Sequence, residues 1–185
     1  MTRIISGAAG SLVLTTPGAG TRPTSDRVRE AIFSALEARD AIADAAVLDL
    51  YAGSGALGLE AASRGAASVV LVESAGTAVR ACRANAAVVG AAVPTAELRV
   101  AAQSVRAFLG TASSGWDLVF LDPPYDLPEP ELAADLALLA PLLAPDAVVL
   151  VERSSRSPEP GWGDGIRLDR RKDYGDTSLW WAERA

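Results

Sequence analysis

Five short apolar runs alternate with helical stretches from residue 47 onward, and few folds accept that order. The runs are Val47–Tyr51, Ser68–Glu73, Glu97–Ala101, Asp117–Asp122 and Ala147–Arg153, with helical stretches near 56–64, 75–89, 104–109 and 129–140 between them. Strands that are apolar on both faces and separated by helices need a parallel sheet covered on each side. Gly65, Gly90 and Gly110 stand where helix C-caps belong. The tail changes rhythm. Residues 165–174 and 177–184 carry two more strand patterns about Gly175-Asp176, a hairpin signal. The expected sheet has seven strands with the last one antiparallel.

A different element precedes the sheet. Arg3–Ser6 and Leu12–Thr15 are expected to pair as a β-hairpin across Gly7–Gly10. Thr24 is placed to N-cap a helix whose apolar stripe is Val28, Ile32 and Leu36, backed by Ala31 and Ala35. Arg22, Arg27 and Arg29 are expected to stand off that face. Residues 1–40 thus form a hairpin-and-helix extension, and 41–185 a Rossmann-like domain.

Composition removes several chemistries. The 185 residues include no histidine and one cysteine, Cys82. Ser-His-Asp catalysis, histidine-ligated metals and a disulfide framework are excluded, and no metal is expected. The richest apolar stretch, Leu136–Val151, is broken by Pro141, Pro145 and Asp146, so no membrane span is expected and a cytoplasmic location is the default. A net charge of −6 argues against a general nucleic-acid binder. The basic residues are clustered, however: Arg3, Arg22, Arg27 and Arg29 face only Asp26 in the first 29 residues. Arg167, Arg170, Arg171 and Lys172 make a second group, for which a plain solvated surface is an equal reading.

Gly53-Ser54-Gly55-Ala56-Leu57-Gly58 is a G-x-G-x-x-G between a strand and a helix. The spacing also serves dinucleotides, so the neighbouring residues decide. Glu73 closes the second strand, where a carboxylate can accept hydrogen bonds from ribose hydroxyls. Asp49, just before the turn, repels a pyrophosphate and suits a ligand bearing an ammonium and a sulfonium, as S-adenosylmethionine does. The alternative for Asp49 is a partner for the helix N-terminus.

Asp122-Pro123-Pro124-Tyr125 follows the fourth strand. The lone pair of an exocyclic amine on guanine or adenine is delocalised into the ring and needs acceptors for its two N–H groups. The Asp122 carboxylate and the Pro123 carbonyl can supply them, and the proline pair makes that carbonyl stiff. Tyr125 can stack on the base, worth about 1–3 kcal/mol. The bland alternative is a Pro-Pro turn. Placement beside the expected cofactor favours methyl transfer to a planar amine.

Arg3-Ile4-Ile5-Ser6-Gly7, Thr21-Arg22-Pro23-Thr24-x-Asp26-Arg27-Val28-Arg29-Glu30, Asp122-Pro123-Pro124-Tyr125 and Lys172-x-Tyr174-Gly175-Asp176-Thr177 resemble the RsmD family over nearly the whole chain. The resemblance implies a class I S-adenosylmethionine-dependent methyltransferase fold with an N-terminal β-hairpin extension. It further implies methylation of a guanine N2 in 16S rRNA, within the small ribosomal subunit or an assembly intermediate, by a protein expected to be a monomer. On this reading Asp49, Tyr51, Gly53, Gly55, Glu73 and Ser74 lie on the cofactor side, and Asp122 to Tyr125 hold the target. Arg3, Arg22, Arg27, Arg29 and Lys172 lie on the RNA side. Two departures stand out. An Arg-Gly-Arg-like hairpin turn is replaced by Ala8-Ala9-Gly10-Ser11, and the usual acidic contact to adenine falls on Gln103 or Ser104. The rivals are methylation of a DNA base or a protein amide, a Rossmann oxidoreductase, and a non-catalytic assembly factor.

Overall fold

The computed structural model describes residues 2–18 and 25–185. Two-residue strands β1 (Thr2–Arg3) and β2 (Val13–Leu14) pair antiparallel, and helix α1 (Asp26–Glu37) follows. Then come β3 (Ala46–Leu50), α2 (Ala56–Ser63), β4 (Ser68–Glu73), α3 (Gly76–Ala92) and β5 (Glu97–Ala102). The second half holds α4 (Val105–Leu109), β6 (Trp116–Leu121), α5 (Glu129–Leu139), β7 (Leu143–Ser154), β8 (Ile166–Tyr174) and β9 (Thr177–Arg184). The main sheet has the order β5-β4-β3-β6-β7-β9-β8. Its first five strands are parallel and β9 runs against both neighbours, which is the layout expected from the sequence.

The apolar strands are buried on both faces because helices cover both. Val47, Leu71, Leu118, Phe120 and Leu150 point into one cluster with α1, α2, α3 and the hairpin. Leu48, Leu50, Val72, Val119 and Val151 point into the other, with α4 and α5. The hairpin residues Ile4, Ala9 and Leu14 share the first cluster with the sheet, so the N-terminal segment and the sheet pack on one core.

Several local expectations are corrected. Thr24 lies outside the described residues, and Ser25 caps α1, its hydroxyl accepting from the Val28 N–H at 3.3 Å. The buried face of α1 includes Val28, Ile32 and Leu36, but also Phe33, whose ring lies 5.8 Å from that of Phe120. Gly65 follows α2 with a φ of +107° and Gly110 caps α4, whereas Gly90 lies inside α3. That helix continues because Val89 and Val93, on either side of the glycine, are both buried. Strand β7 starts four residues before its predicted start, with a register shift that carries Pro145 and Asp146 past β6. The basic group on β8 is stapled to its own sheet. Arg170 and Arg171 lie over Trp181 and Trp180, at 4.9 and 4.7 Å from the ring centres, and Lys172 lies over Tyr174.

Candidate active site

The chain leaves β3 toward one edge of the sheet and returns to β6 on the other side. The carboxyl ends of these two neighbours therefore open a crevice, where ligands bind in sheets of this kind. Leu50 pairs with Leu121, and the Asp122 N–H reaches the Leu50 carbonyl at 3.4 Å. The glycine turn and the Asp-Pro-Pro-Tyr turn, far apart in the sequence, meet here.

Within the first turn the three glycines do different things. Gly53 has φ +57°, and a Cβ there would meet nothing within 4 Å, leaving space for a ligand against the backbone. Gly55, at φ +80°, starts α2 in a left-handed conformation that favours glycine. A Cβ on Gly58 would stand 2.5 Å from Leu71 Cδ2, so this glycine lets α2 press onto β4. Glu73 ties the turn to the end of β4. Its Oε2 accepts from the Gly53 N–H at 2.9 Å, and its Oε1 from the N–H groups of Ser74 and Ala75, each at 2.8 Å.

Asp49 is 1% exposed and accepts from the Gly58 N–H, in the first turn of α2, at 2.8 Å. It is thus a helix partner, and it also lines the crevice. Burial pushes its carboxyl up to about 7, opposed by the Gly58 N–H and assisted by the charge of Glu73. Burial also raises Cys82 to about 12, with Asp49 and Glu73 adding to the effect, so this buried thiol stays protonated.

The crevice is a cavity of about 440 Å³, with Asp49, Tyr51, Gly53, Ser54, Glu73 and Ser74 in its wall together with Asp122, Pro124 and Tyr125. A neighbouring cavity of about 270 Å³ shares Tyr51, Glu73 and Ser74 and adds Gln103 and Ser104. The combined space and its donors and acceptors suit a nucleoside with an amino-acid arm: carboxylates for cationic groups and ribose hydroxyls in one lobe, amide and hydroxyl groups in the other. Tyr51, at φ +61°, donates its O–H to Asp135 at 2.5 Å, and burial together with Asp135 holds that phenol protonated. Its ring therefore acts as a fixed wall between the lobes.

Across the cavity, Pro123 is buried while Tyr125 is 58% exposed, a large ring on the surface beside the opening. The turn carrying them is held by a residue the sequence reading did not single out. Buried Arg153 donates to the Pro124 carbonyl at 3.1 Å, the Leu127 carbonyl at 3.0 Å and Glu129 at 2.6 Å. The signal was the pair Glu152-Arg153, two charges continuing a central apolar strand at its carboxyl end. Burial raises the Asp122 carboxyl well above the usual range; Glu152 and Asp49 add to this, and Arg153 opposes it.

The basic residues divide. Arg3 and Arg27 are exposed, Arg3 lying 3.7 Å from Asp26; Arg22 falls outside the described residues. Lys172 is exposed on β8 and is not in the cavity wall. Arg29, expected on the surface, is 1% exposed. It turns inward because Asp26, the Arg3 carbonyl and the buried Glu60 supply acceptors and charge there. Glu60 itself accepts from the Ile5 and Ser6 N–H groups and so binds the hairpin to α2.

The raised Asp49 carboxyl makes ligand binding pH-dependent. A folded-state value above the ordinary one means that ionised Asp49 is destabilising, a cost absent in acid and complete once the pH passes about 7. A cation bound beside it reverses the preference and drives the proton off. The affinity for a cationic nucleoside should therefore rise up to about tenfold per pH unit below pH 7 and level off above it. Titration calorimetry between pH 6 and 8 measures this, and Asp49→Asn should remove the slope. A flat profile in the unaltered protein would rule out this role for Asp49.

A seven-stranded sheet of this order, with such a cavity at its switch point, defines the class I Rossmann-like methyltransferase fold. The chain belongs to the RsmD family: the family model described as Conserved hypothetical protein 95 matches residues 2–183. It is 35% identical over 177 residues to Ribosomal RNA small subunit methyltransferase D of Escherichia coli K12, covering 95% of this chain and 86% of the relative. The protein of the same name from Haemophilus influenzae is 36% identical over 141 residues, 75% of this chain and 71% of its own. Among solved structures, a hypothetical protein of Thermus thermophilus superposes with a TM-score of 0.83 at 32% identity, covering 99% of both chains. The magnesium protoporphyrin IX methyltransferase of Synechocystis PCC 6803, solved with bound S-adenosylmethionine, shares the fold at a TM-score of 0.69 and 16% identity, over 91% of this chain and 87% of that one.

Proposed function

We propose that this chain transfers a methyl group from S-adenosylmethionine to the exocyclic N2 of a guanine in 16S rRNA. One observation carries the reading. The Asp122–Tyr125 turn and the two carboxylates Asp49 and Glu73 belong to the same cavity wall, so an amine held by the turn faces a cation held by the carboxylates. Membership of the RsmD family and its relatives' naming as small-subunit rRNA methyltransferases support the same substrate class.

The cofactor supplies an electrophilic methyl on a cationic sulfur, so no strong base is needed to begin. Asp49 binds the ammonium, Glu73 the ribose hydroxyls, and Gln103 or Ser104 the adenine. Gly53 gives the backbone room for that approach, Gly55 sets the left-handed turn into α2, and Tyr51 and Ser74 complete the wall. On the other side Asp122 accepts one N–H of the guanine amine and the Pro123 carbonyl the other, turning the nitrogen lone pair out of the ring plane. Pro124, whose carbonyl is spent on Arg153 and Leu127, keeps the turn stiff. Tyr125 stacks on the base, which must leave any helix to reach the pocket. Asp122 then takes the proton that the alkylated nitrogen sheds. Arg153 opposes the rise in the Asp122 pKa and so favours the ionised form that takes the proton. The exposed Arg3, Arg27 and Lys172 would meet the RNA, with Arg22 of the same basic segment as a further contact.

Incubation with S-adenosylmethionine and small ribosomal subunits lacking the modification, followed by nucleoside mass spectrometry, tests the proposal. The expected result is a new N2-methylguanosine peak that grows with enzyme concentration. Cofactor binding with no methylated nucleoside from subunits, partial assemblies or free rRNA would reject the rRNA reading.

A further inference from the structure

The charged side chains in the wall of the larger cavity are three carboxylates, Asp49, Glu73 and Asp122, and among the described residues one cation, Arg29. Arg29 shares that wall with Thr2, Thr16 and Pro17, which the N-terminal segment brings to the cavity. Asn85 holds that segment by accepting from the Thr15 N–H at 2.8 Å and donating to the Thr15 and Ser54 carbonyls, each at 2.8 Å.

Only one nitrogen of the buried guanidinium is used. Nη2 donates to the Arg3 carbonyl and to Asp26, each at 2.7 Å. Nε and Nη1 have no hydrogen-bond partner. Glu60 does not supply one. Its nearest oxygen is 3.9 Å from Nη1, and its oxygens already accept from Ile5, Ser6 and Arg64. Buried N–H donors left without acceptors are costly, so an arginine in this state calls for a ligand that completes it. Nη2 is spent and Nε and Nη1 do not form a fork, so the missing partner is an anion that accepts a single charge-assisted N–H bond, as a carboxylate entering the cavity can do.

We propose that Arg29 binds the carboxylate of the cofactor's amino-acid arm, an inference that rests on S-adenosylmethionine being the cofactor. That molecule carries two cationic groups and one carboxylate. The wall matches it in sign: acidic residues for the ammonium and sulfonium, one guanidinium for the anion. Arg29 is thus a cofactor-binding residue contributed by α1, and the helix after the hairpin forms part of the cofactor site.

Calorimetry with S-adenosylmethionine and with its decarboxylated analogue, which keeps the sulfonium and the amine, tests this. The unaltered protein should prefer the intact cofactor by roughly 10- to 100-fold, the effect of a charge-assisted pair. Arg29→Gln should bring the intact cofactor down to the level of the analogue while changing the analogue's affinity less than about twofold. Arg29→Lys should keep an intermediate preference, and this variant with the unaltered protein carries the test if Arg29→Gln does not fold. Equal affinity of the unaltered protein for both compounds, or equal weakening of both by Arg29→Gln, overturns the assignment alone. Binding of neither compound overturns the methyltransferase reading with it.

Discussion

Asp122→Ala is expected to lower the rate of methyl transfer by about 10²–10⁴-fold, the range for losing a positioned proton acceptor. Cofactor affinity should change little. On the proposed assignment Asp49 and Glu73 hold the cationic arm and the ribose, and their hydrogen bonds go to Gly58, Gly53, Ser74 and Ala75 rather than to Asp122. The fold should also survive, because Asp122 is a destabilising group while ionised: burial, Glu152 and Asp49 all raise its pKa. Removing it relieves repulsion. Single-turnover methylation of modification-free subunits, paired with calorimetry of S-adenosylhomocysteine binding, separates the two effects. A rate within a few-fold of the unaltered enzyme would eliminate Asp122 as the amine's acceptor. A parallel loss of cofactor affinity would place it among the cofactor ligands.

Gly7→Ala should be the most damaging methyl group that can be added to the hairpin. Gly7 has φ +84°, and a Cβ there would lie 1.9 Å from the Ser63 carbonyl oxygen and 2.4 Å from its carbon. The obstacle is backbone at the end of α2, so no rotamer change removes it. The hairpin cannot back away without loss either. Ala8 N–H bonds the Ser63 carbonyl at 2.8 Å, Ala9 N–H bonds the Ser63 hydroxyl at 2.9 Å, and that hydroxyl donates to the Ser6 carbonyl at 2.5 Å. Lifting the hairpin would also strip the Ile5 and Ser6 N–H groups from Glu60, leaving a fully buried carboxylate short of donors. Overpacking and left-handed strain together suggest a cost of about 3 kcal/mol or more, a fall in Tm of about 6–12 °C for a domain of this size. Gly53→Ala, with φ +57° and open space around it, should cost only about 1 kcal/mol. Thermal unfolding of the two variants side by side checks the contrast. Equal and small shifts would mean that the hairpin is not held as tightly as these contacts require.

The sheet was legible because its signal is local and repeated. The run from Ser68 to Glu73 is apolar from Val69 to Val72 and is bounded by Gly65 and Ser74, so its limits are written in the sequence, and the observed strand matches them. Phe33 was missed because a helix with a Val28-Ile32-Leu36 stripe is already amphipathic. Only the position of Phe120 on β6 shows why the stripe is one residue wider. Gly90 misled for a related reason: a glycine is a good helix terminator unless buried residues on both sides hold the helix through it.

At the site, the residue types that define the chemistry could be read directly. Carboxylates before and after a glycine turn, and an acid followed by two prolines and an aromatic, have few uses, and the structure brings both groups to one cavity. Burial and partnership could not be read. Arg29 and Arg27 stand two residues apart in one basic segment, yet one is enclosed and the other exposed. The difference comes from the hairpin, whose Arg3 carbonyl accepts from Arg29, and from the buried charge of Glu60, both distant in sequence. Arg153 is similar: its value lies in the Pro124 and Leu127 carbonyls, which reach it only when β6 and β7 are side by side. The sequence alone determined the order of strands and helices, since periodicity and turn chemistry act between near neighbours. Tertiary structure alone decided which charges are buried, because the free energy of a charge depends on the groups that the whole fold places around it.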